Sequence, residues 1–208
     1  MANTIYIDST NCTTDLCLIG SECNTDKAPY SLNSVCSKAR KGYTAVYEMF
    51  LSSLRHKEID FCEIGIEAGA SVQMWERYFT RANLFAFEYD ENKIELCKQL
   101  APNTNFLKTD VSNEKILHQT FKDTNKMFDV IIDDSNHHQP DQLKIIKVSV
   151  NYLKPGGILI IEDIYRDYSE DIFNSVLGDE WAFKAFIICD HKNRSGHDND
   201  KIWVGIKK

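Results

Sequence analysis

Two short apolar runs in the sequence each end at a pair of acidic residues. Asp133 and Asp134 follow the first run, Glu162 and Asp163 follow the second, and His137 stands three positions after Asp134. Carboxylate oxygens are the ligands that Mg²⁺ prefers, and imidazole, with an unperturbed pKa of about 6.5, suits proton transfer near neutral pH. These residue types therefore predict metal-assisted chemistry in which His137 removes a proton.

The elements around these residues predict that they converge. The runs at 130–132 and 158–161 are typical of strands buried on both faces, and residues 139–153 between them carry apolar side chains at helical spacing. Lys154, Pro155 and two glycines then turn the chain. Strand, helix and strand in this order favour parallel pairing. The carboxyl ends of parallel strands meet at one edge of the sheet, where open α/β sheets bind ligands.

Acids at strand ends have a second interpretation, in which they cap the following helices and His137 only begins a helix. We favour the metal for Asp134, Glu162 and Asp163, because three carboxylates on one side of Mg²⁺ leave positions open for two neighbouring hydroxyl groups of a sugar or a catechol. A metal would also lower the pKa of the reacting hydroxyl. Asp133 is assigned a structural or cofactor-side role instead.

The rest of the chain continues the alternation of strands and helices. The final strand pair has no helix between its members, so it is expected to be antiparallel. We predict a doubly wound α/β sheet of seven strands, mostly parallel, over residues 43–208. Residues 1–42 show no sustained period and are predicted to be an N-terminal extension or lid. The further strands are predicted at residues 59–66, 83–89, 105–108, 183–189 and 202–206.

Composition narrows the range of partners and compartments. The 208 residues, 43% hydrophobic and 26% charged, suit one globular domain with an extension. A net charge of -7 weakens a nucleic-acid interpretation. No apolar run approaches the roughly 20 residues that span a bilayer, and no secretory signal is visible, so we expect no membrane contact and a cytoplasmic location. The seven cysteines form no C-x-x-C pair, which favours free thiols over zinc or disulfides.

A second group of residues predicts a nucleoside-like cofactor. The first strand ends in Glu63-x-Gly65-x-x-x-Gly69 and opens into a helix. Glycine lets the backbone approach a ligand, and a helix N-terminus favours negative charge. The dinucleotide fingerprint G-x-G-x-x-G is absent. Glu88 and Asp110, at the next two strand ends, can accept hydrogen bonds from ribose hydroxyls and an adenine amino group, although solvated acids are the alternative.

Residues 61–208 resemble the class I S-adenosylmethionine-dependent methyltransferases, and the Leu-Lys-Pro-Gly-Gly turn before the strand at 158–161 is common among them. The resemblance implies a seven-stranded Rossmann-like sheet with an antiparallel last strand, and S-adenosylmethionine as cofactor. Ser71 opens the helix after the glycine turn and joins the same site. The predicted cofactor-binding residues are Glu63, Gly65, Gly69, Ser71, Glu88, Asp110, Asp133 and Lys27.

Three motifs resemble the metal-dependent sugar O-methyltransferases of macrolide antibiotic biosynthesis, some of whose relatives carry a cephalosporin-hydroxylase label. They are Asp-Asp-x-x-His with Pro140 shortly after, Ile-Glu-Asp at the second strand end, and Thr-Asp-Lys ending at Lys27. The resemblance implies that Asp134, Glu162 and Asp163 bind Mg²⁺ or another divalent cation, that His137 is the base, and that Lys27 lies near the cofactor. The acceptor would be a hydroxyl of a sugar or glycosylated small molecule.

Two other functions stay open at this point. A catechol-type O-methyltransferase would use the same metal chemistry, and a non-catalytic protein could bind S-adenosylmethionine without turnover. The complete set of acids with His137 argues against the second. The N-terminal segment and the polar loop 190–200 are expected to shape the acceptor site. The sequence leaves the oligomeric state open, although members of this family often form homo-oligomers.

Overall fold

The computed structural model of the protein describes residues 3–30, 40–190 and 198–208. These residues form one eight-stranded sheet with helices on both faces. The strands are β1 Asn3–Asp8, β2 Asp60–Ile64, β3 Asn83–Glu88, β4 Asn105–Lys108, β5 Phe128–Asp133, β6 Leu153–Ile164, β7 Trp181–Asp190 and β8 Lys201–Lys207. The helices are α1 Asp15–Glu22, α2 Tyr43–Leu51, α3 Ala70–Tyr78, α4 Glu91–Leu100, α5 Glu114–Asp123, α6 Gln139–Ser149 and α7 Glu170–Val176.

The strand order across the sheet is β1-β7-β8-β6-β5-β2-β3-β4. Neighbours from β6 to β4 pair in parallel, whereas β8 runs antiparallel to both β6 and β7. The predicted doubly wound sheet, its parallel β5-α6-β6 unit and its antiparallel last strand are therefore confirmed. The carboxyl ends of β2, β3, β4, β5 and β6 share one edge.

The sheet has eight strands, so the predicted number of seven is wrong. The additional strand is β1, which pairs in parallel with β7 at the edge of the sheet and lies within the predicted N-terminal extension. Ile5 is 39% and Tyr6 71% exposed. An edge strand is held by backbone hydrogen bonds along one side, so its sequence does not need the continuous apolar run that marks a central strand.

Alternating residues of the central strands supply two separate cores. Val130 and Ile132 of β5 pack with Tyr47 and Trp75 under α2 and α3. Ile131, between them, packs on the opposite face with residues of α5, α6 and α7. Side chains point alternately to the two faces of a strand, so a strand that is covered on both sides is apolar throughout. This is why the short apolar runs predict the positions of β5 and β6.

Among the described residues no helix is long and apolar enough to cross a membrane. The six cysteines of the described ranges are free thiols. Cys36 and residues 191–197 of the predicted acceptor loop lie outside the described residues.

Candidate active site

A cavity of about 690 Å³ opens at the carboxyl edge of the sheet. This volume is within the roughly 300–1,000 Å³ that is usual for small-molecule and cofactor sites. The predicted site residues that line it are Lys27, Gly65, Ser71, Glu88, Asp110, Asp134, His137 and Asp163. Four others, Glu63, Gly69, Asp133 and Glu162, are buried behind its wall. The two predicted groups of residues thus meet at one cavity.

His137 projects from the turn between β5 and α6 toward two carboxylates. Its Nε2 atom lies 3.1 Å from Asp134 Oδ1 and 3.6 Å from Asp163 Oδ2. Both His137 and Asp163 have left-handed backbones, with φ of 57° and 54°. Non-glycine residues in this region carry strain that surrounding structure must offset, and such strain is concentrated at functional sites. The turn geometry therefore aims the imidazole at the end of β6.

The carboxylates make His137 a stronger base. Burial lowers the pKa of its imidazole, but the hydrogen bond accepted by Asp134 and the negative charge of Asp163 more than offset this, so the pKa is raised above its ordinary value. Burial by itself raises the pKa of Asp134, whereas Lys27 and His137 outweigh it and hold that pKa below its usual range. A proton on Nε2 is thus stabilised by neighbouring negative charge.

Lys27 reaches the same acids from the N-terminal part of the chain. Its Nζ atom makes ion pairs with Asp134 Oδ2 and, at 2.6 Å, with Glu162 Oε2. The lysine side chain is only 3% exposed and that of Glu162 only 1%. Burial opposes the charged form, yet Asp134 and Glu162 raise the pKa of Lys27 well above its ordinary value. Lys27, predicted near the cofactor, lies on the cavity wall with its ammonium group among the predicted metal ligands.

Asp163 is held by three residues that the sequence did not single out for the site. The Tyr43 hydroxyl donates to Asp163 Oδ1 at 2.7 Å, Lys41 Nζ lies 3.2 Å from the same oxygen, and Asn199 Nδ2 donates to Oδ2 at 3.1 Å. Tyr43 is part of an apolar helical face, and Lys41 stands in a stretch without period. Neither carries a local signal for the site, because both act through contacts distant in sequence.

The acids of this edge are chemically suited to hold a cation. Ligand atoms within 4.8 Å of one another form two groups among the described residues, Asp134 with His137 and Asp163, and Glu63 with Asp134 and Glu162. Asp134 joins the two groups. Glu162 Oε1 is buried and makes no hydrogen bond to any described residue. Because the carboxylates of Asp134 and Glu162 offer oxygen donors, one of them buried and unpartnered, the donor set fits a hard divalent cation.

The glycine turn after β2 lies beside Asp134 on the cavity wall. Gly65 has φ of 83°, and a Cβ atom there would lie 2.2 Å from the backbone oxygen of Asp134. Behind the turn, Ser71 Oγ donates to Glu63 Oε2 at 2.9 Å, and burial raises the pKa of Glu63 to about 7. Gly65 is therefore required where the β2 and β5 ends approach each other, and Glu63 fixes the start of α3 from within the protein.

Glu88 and Asp110 line the cavity but also organise the backbone around it. Glu88 Oε2 accepts from Ile66 N at 3.1 Å, and Oε1 accepts from Tyr89 N at 2.8 Å and from Asp90 N at 3.0 Å. Asp110 Oδ1 accepts from both the backbone and the hydroxyl of Ser112. Each carboxylate thus fixes a loop at the cavity rim. Their predicted contacts with ribose and adenine stay predictions.

We expect Gly65→Ala to lower the free energy of unfolding by about 2–4 kcal/mol, from left-handed strain together with overpacking. Gly156→Ala is the matched control, because Gly156 also has positive φ, 77°, but no atom within 4 Å of its would-be Cβ. Urea titration monitored by tryptophan fluorescence measures both variants. Equal losses in the two variants would contradict the close approach of Gly65 to Asp134.

The fold and the site define a class I methyltransferase domain. A family model described as a methyltransferase domain matches residues 56–195, and the chain belongs to this family. Its curated relatives include a tetracenomycin-C rhamnosyl 3'-O-methyltransferase from Streptomyces olivaceus, 27% identical over 139 residues. Another is L-olivosyl-oleandolide 3-O-methyltransferase from Streptomyces antibioticus, 26% identical over 133 residues. Each match covers 61% of this chain but only 33% of the relative, so the chain spans about a third of their length.

Solved structures show the same fold. MycE methyltransferase from the mycinamycin biosynthetic pathway, in complex with Mg and SAH, superposes with a TM-score of 0.67 at 17% identity, covering 94% of this chain and 55% of that one. The complex that also contains mycinamycin VI gives a TM-score of 0.59 at 20% identity, covering 73% of this chain and 40% of that one.

Proposed function

We propose that this chain is an S-adenosylmethionine-dependent O-methyltransferase acting on a hydroxyl group of a sugar or a glycosylated small molecule, with Mg²⁺ or another divalent cation. The observation that carries the proposal is the position of His137 Nε2, on the cavity wall within 3.6 Å of both Asp134 and Asp163. Support also comes from relatives named as sugar O-methyltransferases and from MycE, whose structures contain Mg and SAH.

The chain's own residues supply the acid–base part of the reaction. His137 Nε2 accepts the proton of the acceptor hydroxyl, and the carboxylates of Asp134 and Asp163 stabilise that proton. Asp163 is held in place by Tyr43 and Asn199, so the imidazole meets an oriented carboxylate rather than a mobile one.

Two groups from outside the chain complete this chemistry. S-adenosylmethionine supplies an electrophilic methyl group, and a divalent cation lowers the pKa of the hydroxyl that receives it. Asp134, Glu162 and Asp163 would hold the cation. The cofactor would be held by the residues of the cavity wall Lys27, Gly65, Ser71, Glu88 and Asp110. Glu63, Gly69 and Asp133 are buried and would support that wall from behind.

We expect transfer of radiolabelled methyl groups from S-adenosylmethionine to rhamnosyl or olivosyl glycosides, and a rate at least about 100-fold lower in the presence of a chelator. A cation that stabilises the reacting oxygen by several kcal/mol accounts for a loss of this size. Excess Mg²⁺ should restore the rate. The assay compares the glycosides with catechol under identical conditions.

Each alternative has its own outcome in this assay. Methylation of catechol with rejection of every glycoside would contradict the sugar acceptor. Transfer that is indifferent to the chelator would contradict the cation. Calorimetric binding of S-adenosylmethionine without transfer to any hydroxyl would indicate a binding protein.

A further inference from the structure

Lys27 holds the position in the acid cluster that a cation would take. Its ammonium group is shared between Asp134 Oδ2 and Glu162 Oε2, whose nearest oxygens lie within 4.8 Å of each other. Magnesium contacts its oxygen ligands at roughly 2.1 Å, so it would need the same space. Two positive charges so close together in a buried site repel each other strongly. The ammonium and a divalent cation therefore exclude each other between these two acids.

We propose that Lys27 is a built-in competitor for the divalent cation: its ammonium neutralises Asp134 and Glu162 until the metal binds, and metal loading moves the lysine side chain into the cavity. This inference rests on the divalent cation of the proposed function. It adds control of metal affinity to the cofactor-side role proposed for Lys27 above.

The local structure fixes the backbone of Lys27 and leaves its side chain a route. Lys41 N donates to Asp26 O at 2.8 Å and Thr44 N donates to Lys27 O at 3.1 Å, so the turn is tied to the start of α2. The side chain of Lys27 also lines the cavity. Rotation about its four-carbon stem can therefore remove the ammonium from the acids without moving the turn.

Charge balance favours the exchange. Asp134, Glu162 and Asp163 face two lysines, because Lys41 pairs with Asp163 at 3.2 Å. With Lys27 withdrawn, the cluster loses one positive charge, which the incoming divalent cation replaces. A divalent cation bound in addition to both lysines would add its charge to two ammonium groups already in the buried cluster, at a high desolvation cost.

The first test is titration of Mn²⁺ into chelator-treated protein without cofactor or acceptor, followed by the electron paramagnetic resonance signal of the free ion. We expect Lys27→Met to bind Mn²⁺ at least about tenfold more tightly than the wild type, a factor that corresponds to about 1.4 kcal/mol. Lys154→Met is the matched control, because Lys154 is also shared by two carboxylates, Asp60 at 3.1 Å and Asp129 at 2.7 Å, at the other end of the sheet. Its affinity should equal that of the wild type.

Equal or weaker Mn²⁺ binding by Lys27→Met, or no binding by any variant, overturns the proposal. Because Lys27→Met leaves buried acids uncompensated and can fail to fold, a second measurement uses the unaltered chain. Acetic anhydride labelling with mass spectrometry should show Lys27 protected without Mn²⁺ and reactive at saturation, with Lys154 unchanged. Protection of Lys27 that persists in the Mn²⁺-saturated protein overturns the proposal in the same way.

These measurements are independent of methyl transfer. Release of Lys27 by Mn²⁺ in a protein that methylates nothing would remove the proposed function and leave the competition intact. Methyl transfer that depends on the cation while Lys27 stays protected would support the proposed function and contradict the competition between Lys27 and the cation.

Discussion

Replacement of His137 by alanine should reduce methyl transfer by about 10²–10⁴-fold, the contribution of a positioned general base, while the affinity for S-adenosylmethionine stays nearly unchanged. The reason lies in the geometry of the site. The imidazole contacts Asp134 and Asp163 near the ends of β5 and β6, whereas Glu88 and Asp110 line the cavity near the ends of β3 and β4. Single-turnover transfer and calorimetric titration of the cofactor measure the two quantities separately.

His138 provides the control for this variant. It is the next residue in the chain, its side chain is 65% exposed, and its Nδ1 lies 3.6 Å from Asp141 rather than from the acids of the site. His138→Ala should therefore keep both transfer and cofactor affinity. If His137→Ala lost cofactor affinity and transfer to the same extent, His137 would belong to the cofactor wall and not to the acid–base chemistry.

The sequence predicts the meeting of Asp134, His137 and Asp163 because one structural rule connects them. Buried apolar runs identify β5 and β6, the helical spacing between the runs makes these strands parallel, and parallel strands end at one edge. No contact needs to be known in advance. The same rule brings the strand ends of Glu88 and Asp110 to that edge, and all five residues line the cavity.

The N-terminal contributions could not be predicted by this rule. Strand β1 is an exposed edge strand, and Lys27 and Lys41 belong to irregular segments without a period. Lys27 meets acids more than 100 positions further along the chain, and such a contact depends on how the completed sheet places the turn. A lysine in a polar segment is usually solvated, so only the resemblance of the Thr-Asp-Lys motif, and no local hydrophobic pattern, placed Lys27 near the site.

The division of roles within the predicted cofactor group also needs three-dimensional information. Glu63 and Asp133 end neighbouring strands, as Glu88 and Asp110 do, but they are buried behind the cavity wall. All four are acidic residues within two positions of the end of a strand. Strand register separates Glu63 from Glu88, because Glu63 pairs with Ala86, two positions before Glu88. Such a difference is known only once the strands are paired. Burial raises the pKa of Glu63 and of Asp133 to about 7, as expected for carboxyl groups shielded from solvent.

A large effect on stability is expected at the antiparallel strand. Trp203→Ala should lower the free energy of unfolding by about 3–5 kcal/mol, because it leaves a cavity the size of an indole ring. Trp203 is fully buried in β8, its ring centre lies 5.0 Å from that of Trp181 at an interplanar angle of 89°, and its ring lies over Gly205. Urea titration followed by far-ultraviolet circular dichroism measures the change.

Tyr6→Ala is the control for this prediction, because Tyr6 is an aromatic residue on edge strand β1 with 71% of its surface exposed. Its loss should change the free energy of unfolding by less than about 0.5 kcal/mol. A comparably small change for Trp203→Ala would show that β8 does not depend on the buried indole.

The stability of β8 matters for the site, since Trp203 pairs with Ile161, the residue before Glu162 and Asp163. Loosening β8 should therefore reduce transfer at temperatures where the remaining fold is intact.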